Sequence, residues 1–186
     1  MRGFEDAQAA GADEIAVFAS ASEGFSKANI NATIAESLER FAPVIEAARH
    51  IDLPVRGYVS CVVECPYDGA VTPQAVADVA DKLFGMGCYE ISLGDTTGKG
   101  TPDAVAGHFH DTNGRALDNI DAALAMGLRV FDAAVGGLGG CPYAPGASGN
   151  VATEAVAAHL KRLGYQTGLD ADVIAEAAAF AKSLRS

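Results

Sequence analysis

His108 and His110 stand two apart in the run HFHD, with Phe109 between them. On an extended strand, residues i and i+2 share one face. Two neutral imidazoles on one face can grip a divalent cation. The plainer alternative is a pair of half-buried histidines beside a turn. Placement at the C-terminal end of an expected strand favours the metal, because parallel α/β enzymes build their sites there. Asp95, in SLGDTTGKGTP, ends another expected strand. Its carboxylate can act as a general base or orient a hydroxyl. A turn cap ahead of Thr96 and Thr97 is the alternative. The run is not a phosphate loop, since Gly94 to Gly98 is one residue too short for G-x-x-x-x-G-K-[ST].

The stretch GGLGGCPYAPGASGN, residues 136–150, sets one thiol among glycines. Pro142 stands where a dinucleotide-binding fingerprint starting at Gly137 needs its last glycine. Asn150 stands where a nucleophile elbow around Ser148 needs one. What remains is a long glycine-rich loop after a strand, of the kind that forms lids. Free cysteines are usually core residues. Cys141, flanked by Gly140 and Pro142, suits a reactive thiol better. Asn150 is placed to cap the next helix, and its amide oxygen can serve a metal as well. A fourth stretch, SASEGFSKANINATIAES, follows a strand and reads as a polar loop on the same rim. Ser20, Ser22, Lys27, Asn29 and Asn31 there can contact a polar ligand, although a solvated loop explains any one of them. Cys61 and Cys65, spaced C-x-x-x-C without a second pair, argue against a zinc site. Cys88, just before a strand, reads as core.

The elements that must hold these residues alternate. Strands are expected at 14–18, 55–60, 89–93, 106–110 and 129–135. Helices are expected at 3–10, 32–49, 73–86, 114–126, 151–163 and 170–184. Thr33 and Glu36 form a capping box, and Pro73 and Gly87 bracket the helix between them. Strands alternating with helices define an α/β fold with a parallel sheet. The 186 residues are enough for one good core. No apolar run is long enough to span a membrane, and the acidic N-terminus is no signal peptide. A formal net charge of −11 argues against nucleic acid or an anionic membrane as the partner. The four cysteines are expected as reduced thiols in a cytoplasmic protein.

Two features depart from a whole domain. Five strands do not close a (β/α)8 barrel. The connection TTGKGTPDAV, between the third and fourth strands, is also too short for a parallel crossover with its helix.

In order along nearly the whole chain, SEGFSKANIN, VRGYVSCVVECPYDG, GCYEISLGDTTGKGTP, HFHDTNGRALDNI and GGLGGCPYAPGASGNVATE resemble the 3-hydroxy-3-methylglutaryl-CoA lyase family. This family belongs to the metal-dependent (β/α)8-barrel lyases and acyl-CoA condensing enzymes. GLGGCPYA followed by GASGN is the most specific part. HFHD and LGDT are shared more widely.

The resemblance implies a partial TIM barrel with about five of eight parallel strands. The domain reads as a single incomplete unit over 1–186, equivalent to strands four to eight, without the helix between strands six and seven. It implies a divalent-metal-dependent C–C lyase that cleaves 3-hydroxy-3-methylglutaryl-CoA to acetyl-CoA and acetoacetate, in leucine and ketone-body metabolism. Mg²⁺ or Mn²⁺ would be held by His108, His110 and Asn150. Cys141 becomes the catalytic thiol, Asp95 the acid/base or orienting carboxylate, and Ser92, Asn29 and Lys27 substrate contacts. The partner is a small acyl-CoA substrate, and the intact family member is a homodimer. The family's first-strand arginine–aspartate pair and second-strand glutamate have no counterparts here. Asn113 stands where tyrosine is commoner in the family. The alternatives are an aldolase or acyl-CoA condensing enzyme of the same superfamily, or an inactive fragment lacking the arginine–aspartate pair.

Overall fold

The computed structural model describes residues 1–100, 107–111, 113–139 and 149–184. The chain divides into two compact units, 1–94 and 95–186. In the first, the order is α1 (Arg2–Ala9), β1 (Ile15–Ser20), α2 (Glu23–Ile30), α3 (Ile34–Arg49), β2 (Val55–Ser60), β3 (Glu64–Cys65), β4 (Gly69–Ala70), α4 (Pro73–Met86) and β5 (Glu90–Asp95). β2 lies between β1 and β5, parallel to both, with Val17 opposite Gly57 and Tyr58 opposite Ser92. This is the parallel α/β sheet of a partial TIM barrel.

One face of that sheet is covered by α3 and α4. Leu38, Ile45 and Ala48 on α3 recur at helical spacing, as do Val76, Val79 and Leu83 on α4. They pack on Val17, Ala19, Val55 and Val59 in a continuous core. Local chemistry starts both helices. Thr33 and Glu36 exchange the two bonds of a capping box, and Thr72 accepts from Ala75 N–H ahead of Pro73.

The polar stretch after β1 is a correction. It folds as α2, not as a loop, because Ser22 caps it by accepting from Phe25 N–H. Asn31 then ends it in the left-handed region, at φ 48. Nor did periodicity reveal the hairpin β3–β4, whose strands are two residues each. Its turn is clasped to α2. Asp68 Oδ2 accepts from Gly24 N–H at 2.7 Å and from the Ser22 hydroxyl at 2.7 Å. The buried Cys65 sulfur accepts from Tyr67 N–H and Asp68 N–H, both at 3.3 Å. Cys65 thus ends β3 and ties down the hairpin turn.

The second unit contains β6 (His108–Phe109), α5 (Ala116–Ala125), a 3-10 turn (Val135–Gly137), α6 (Thr153–Arg162) and α7 (Ala171–Ser183). The strand expected over 129–135 is replaced by single bridges, Asp132 with His108 and Ala134 with Ala152. Three side-chain to main-chain bonds accompany the break. Arg129 turns its guanidinium back onto the Leu124 and Leu128 carbonyls. Gly136 N–H is taken by the Glu154 carboxylate at 3.0 Å. Of the strand expected over 106–110, residue 106 lies outside the described residues, β6 takes His108–Phe109, and His110 forms a single bridge to Asn150.

Leu83, fully buried, and Phe84, 65% exposed, are neighbours on α4. Leu83→Ala is expected to cost about 2–5 kcal/mol in urea unfolding. Phe84→Ala should stay within about 0.5 kcal/mol. Equal effects would contradict the assigned face of the helix.

Candidate active site

The second unit brings three distant segments together through one buried residue. Val151 N–H donates to the Phe109 carbonyl at 3.1 Å, and the Val151 carbonyl accepts from Ala134 N–H at 3.0 Å. Asp111 N–H donates to Gly149 O at 2.9 Å. This lacing sets Asn150 opposite His110 and Asp132 opposite His108. The imidazoles of His108 and His110 lie edge to face, 5.5 Å between centroids.

Burial pushes both histidines toward the neutral form. His108 is lowered by burial, opposed by the Asp132 carboxylate, the Asn150 side chain and Asp95. His110 is lowered to about 4, first by burial and then by the neighbouring charge of His108. Near pH 7 both rings therefore keep a lone pair for a ligand.

Asn150 does not cap the following helix. The cap position is Ala152, which has no side-chain cap bond. Asn150 Nδ2 donates instead to the Leu138 carbonyl at 3.1 Å. That bond fixes the amide orientation and leaves Oδ1 buried without a hydrogen bond of good geometry among the described residues, although the amide lies near enough to His108 to favour its protonated form. His110 Nδ1 is also buried without a hydrogen bond among the described residues. Buried polar atoms without good hydrogen bonds are costly. Two of them in one place, on an imidazole and an amide oxygen, fit the donor set of a divalent cation. Among the described residues, no cluster of three His, Cys, Asp or Glu side chains supplements it.

Asp95, 1% exposed, ends β5. The turn alternative and the chemical one coexist there. The Asp95 carbonyl accepts from Gly98 N–H at 3.1 Å, and Oδ2 accepts from Gly100 N–H at 2.7 Å. The charge of Asp95 reaches His108, so the carboxylate and the histidines share one electrostatic environment.

Ser92, Lys27 and Asn29 belong to the first unit. Ser92 is buried on β5, and Lys27 and Asn29 are exposed on α2. Cys141 lies outside the described residues, so its expected role stays an expectation. Asp132 escaped the sequence reading. Its Oδ2 lies 3.8 Å from His108 Nδ1, too far for a hydrogen bond but close enough to favour a proton on the ring. No local motif marked it, because its partner is 24 residues away. Asp111, the last residue of HFHD, is occupied in accepting from Ala116 N–H at the start of α5.

In the metal-free protein, the His110 ring should titrate at about 4, not its ordinary 6.5, by imidazole NMR. Its folded value is the lower, so protons bind the unfolded chain first. The stability that the neutral ring contributes is complete above pH 6.5 and is lost as pH falls toward 4. His110→Gln should flatten the stability curve in that window. A midpoint near 6.5 would contradict the buried neutral ring.

The sequence profile of the HMGL-like family matches residues 1–107 and again 103–181. The chain is 57% identical to hydroxymethylglutaryl-CoA lyase of Pseudomonas mevalonii, over 94% of this chain and 64% of that protein. It is 56% identical to the mouse 3-hydroxy-3-methylglutaryl-CoA lyase named as cytoplasmic, over 97% of this chain and 57% of that protein. The crystal structure of the HMG-CoA lyase from Brucella melitensis superposes with a TM-score of 0.95 at 62% identity, over 100% of this chain and 71% of that one. An HMG-CoA lyase from Acinetobacter baumannii, solved with coenzyme A and 3-methylmalate, superposes with a TM-score of 0.90 at 33% identity, over 98% of this chain and 65% of that one. The chain spans 57–64% of the length of these two curated relatives. No helix among the described residues is long and apolar enough to cross a membrane. With the profile matched over nearly its whole length and relatives this similar, the chain belongs to the HMGL-like family.

Proposed function

We propose that the chain takes part in cleaving 3-hydroxy-3-methylglutaryl-CoA to acetyl-CoA and acetoacetate. The observation that carries this reading is the pair of buried donors without a well-formed hydrogen bond among the described residues, His110 Nδ1 and Asn150 Oδ1, beside His108 and the buried Asp95. The curated relatives named for this activity support it. The coenzyme A in the Acinetobacter structure supports an acyl-CoA substrate.

His108, His110 and Asn150 would hold Mg²⁺ or Mn²⁺, which as a Lewis acid acidifies the substrate's 3-hydroxyl. Asp95 then accepts the hydroxyl proton. The electron pair left on that oxygen becomes the new carbonyl of acetoacetate. The C–C bond breaks, and its electrons pass to the acetyl-CoA enolate. Cys141 protonates that carbon, and a proton returned from the Asp95 side restores the thiol. Ser92, Lys27 and Asn29 are the candidate contacts for the substrate's polar groups.

A second reading is that these 186 residues bind substrate or metal without turning it over. The family match restarts at 103, before its first part ends at 107. The mouse alignment needs 196 positions to cover 97% of a 186-residue chain. Both fit a connection in this chain that is shorter than in those relatives.

Acetoacetate release is the direct test. On the first reading the chain turns over 3-hydroxy-3-methylglutaryl-CoA with Mg²⁺ and a thiol reductant, and EDTA stops it. Cys141→Ala should then lower kcat by about 10²–10⁴-fold with divalent-ion affinity unchanged. His110→Ala should abolish Mn²⁺ binding by calorimetry. Metal binding without acetoacetate would select the second reading, and loss of neither function in His110→Ala would remove the metal assignment.

A further inference from the structure

The inward face of α5 carries Ala116, Ile120, Ala123 and Leu124, with one polar residue, Asn119, among them. Asn119 is 1% exposed. An amide on such a face is costly unless it is hydrogen-bonded, so its partner shows its use. Nδ2 of Asn119 donates to the Gly100 carbonyl at 3.2 Å. Gly100 N–H in turn donates to Asp95 Oδ2 at 2.7 Å. The two main-chain groups of one glycine thus connect the buried amide of α5 to the buried carboxylate at the end of β5.

The fit around that glycine is close. A Cβ on Gly100 would stand 2.6 Å from Asp95 Oδ2 and 3.4 Å from Asn119 Nδ2. Any side chain would push the carboxylate away from its bond. The middle of the same loop is held by a second asparagine, with Asn113 Nδ2 donating to the Gly98 carbonyl at 2.8 Å. A carboxylate ending a strand can rotate about its side-chain bonds. A charge-assisted bond to a main-chain N–H stops that rotation only if the N–H is itself held.

We propose that Asn119 is a positioning residue for Asp95, acting through both main-chain groups of Gly100 to hold the carboxylate in the orientation that accepts the substrate's proton. The proposal rests on the reading of Asp95 as proton acceptor. Asn119 touches neither substrate nor metal in this scheme. It sets how the group that does so is presented, in the way that a held second layer sharpens a catalytic constellation.

The test compares wild type with Asn119→Leu, which keeps nearly the same shape, and Asn119→Ser, which keeps a donor. Amide exchange at Gly100 and the ¹³C carboxyl resonance of Asp95 at pH 7 are followed by NMR, neither of which needs turnover. In Asn119→Leu the Gly100 amide should exchange about tenfold faster or more, the scale of one lost buried hydrogen bond, and the Asp95 resonance should move. Asn119→Ser should restore part of both changes, which a merely space-filling role would not. If Asn119→Leu folds poorly, the serine variant alone decides, with intermediate shifts expected at both probes. Unchanged exchange at Gly100, or an unmoved Asp95 resonance, overturns the proposal. Where acetoacetate release is measurable, kcat should fall with the same rank order while KM and Mn²⁺ affinity stay within about twofold. Asp95→Asn separates the two claims: full turnover in that variant would sink the proton-acceptor reading and leave the Asn119–Gly100 tether to be judged by exchange.

Discussion

The segments of the candidate site meet at the main chain of Val151. Its N–H and carbonyl are both buried, and both must find partners. They find Phe109 on one side and Ala134 on the other. That one residue therefore draws together the HFHD strand, the segment around Asp132 and the return of the glycine-rich stretch. Pairing of isolated bridges replaces a full ladder, so few bonds carry the geometry. His108, His110 and Asn150 stay in register because the apolar Phe109 and Val151, both 1% exposed, sit beside them. The site is built on a packed apolar spine with its polar tips turned outward from it.

The electrostatics follow from the same burial. An imidazole half removed from water resists a proton, and a second imidazole beside it resists more. Asp132 and Asp95 work against this at His108 but do not reverse it. The balance gives neutral rings near carboxylates, a state suited to receive a cation instead of protons. Asn150 adds an oxygen whose orientation is set from outside the site, by its bond to Leu138.

Much of this was legible in the sequence, for reasons that differ by element. α4 was expected at 73–86 and occupies those residues, because Pro73 and Gly87 mark both ends locally. The capping box of Thr33 and Glu36 likewise announced α3. Such signals depend on residues within one turn of each other. α2 was missed because its eight residues are short and polar, with a cap that resembles loop sequence. β3 and β4 are too short to show any period. The pairing of His108 with Asp132, and of Asn119 with Gly100, spans 24 and 19 residues. Only the fold creates those neighbours. An asparagine in the apolar stripe of α5 was a visible irregularity, and its partner is what the structure supplies. For the candidate site, motif spacing gave the residue types, and the orientation of each atom came from the packing.

The glycines that bracket 140–148 have a different significance from the mobility their abundance suggests. A Cβ on Gly149 would collide with the Gly139 carbonyl oxygen, and it would approach the Gly137 carbonyl to 3.0 Å. Gly139 and Gly149 form a neck as narrow as two bare backbones. Once the ends of a loop are held this close, lengthening it costs little, about 0.6 kcal/mol for each doubling. The neck itself has no such slack. The two glycines themselves leave no room for a side chain.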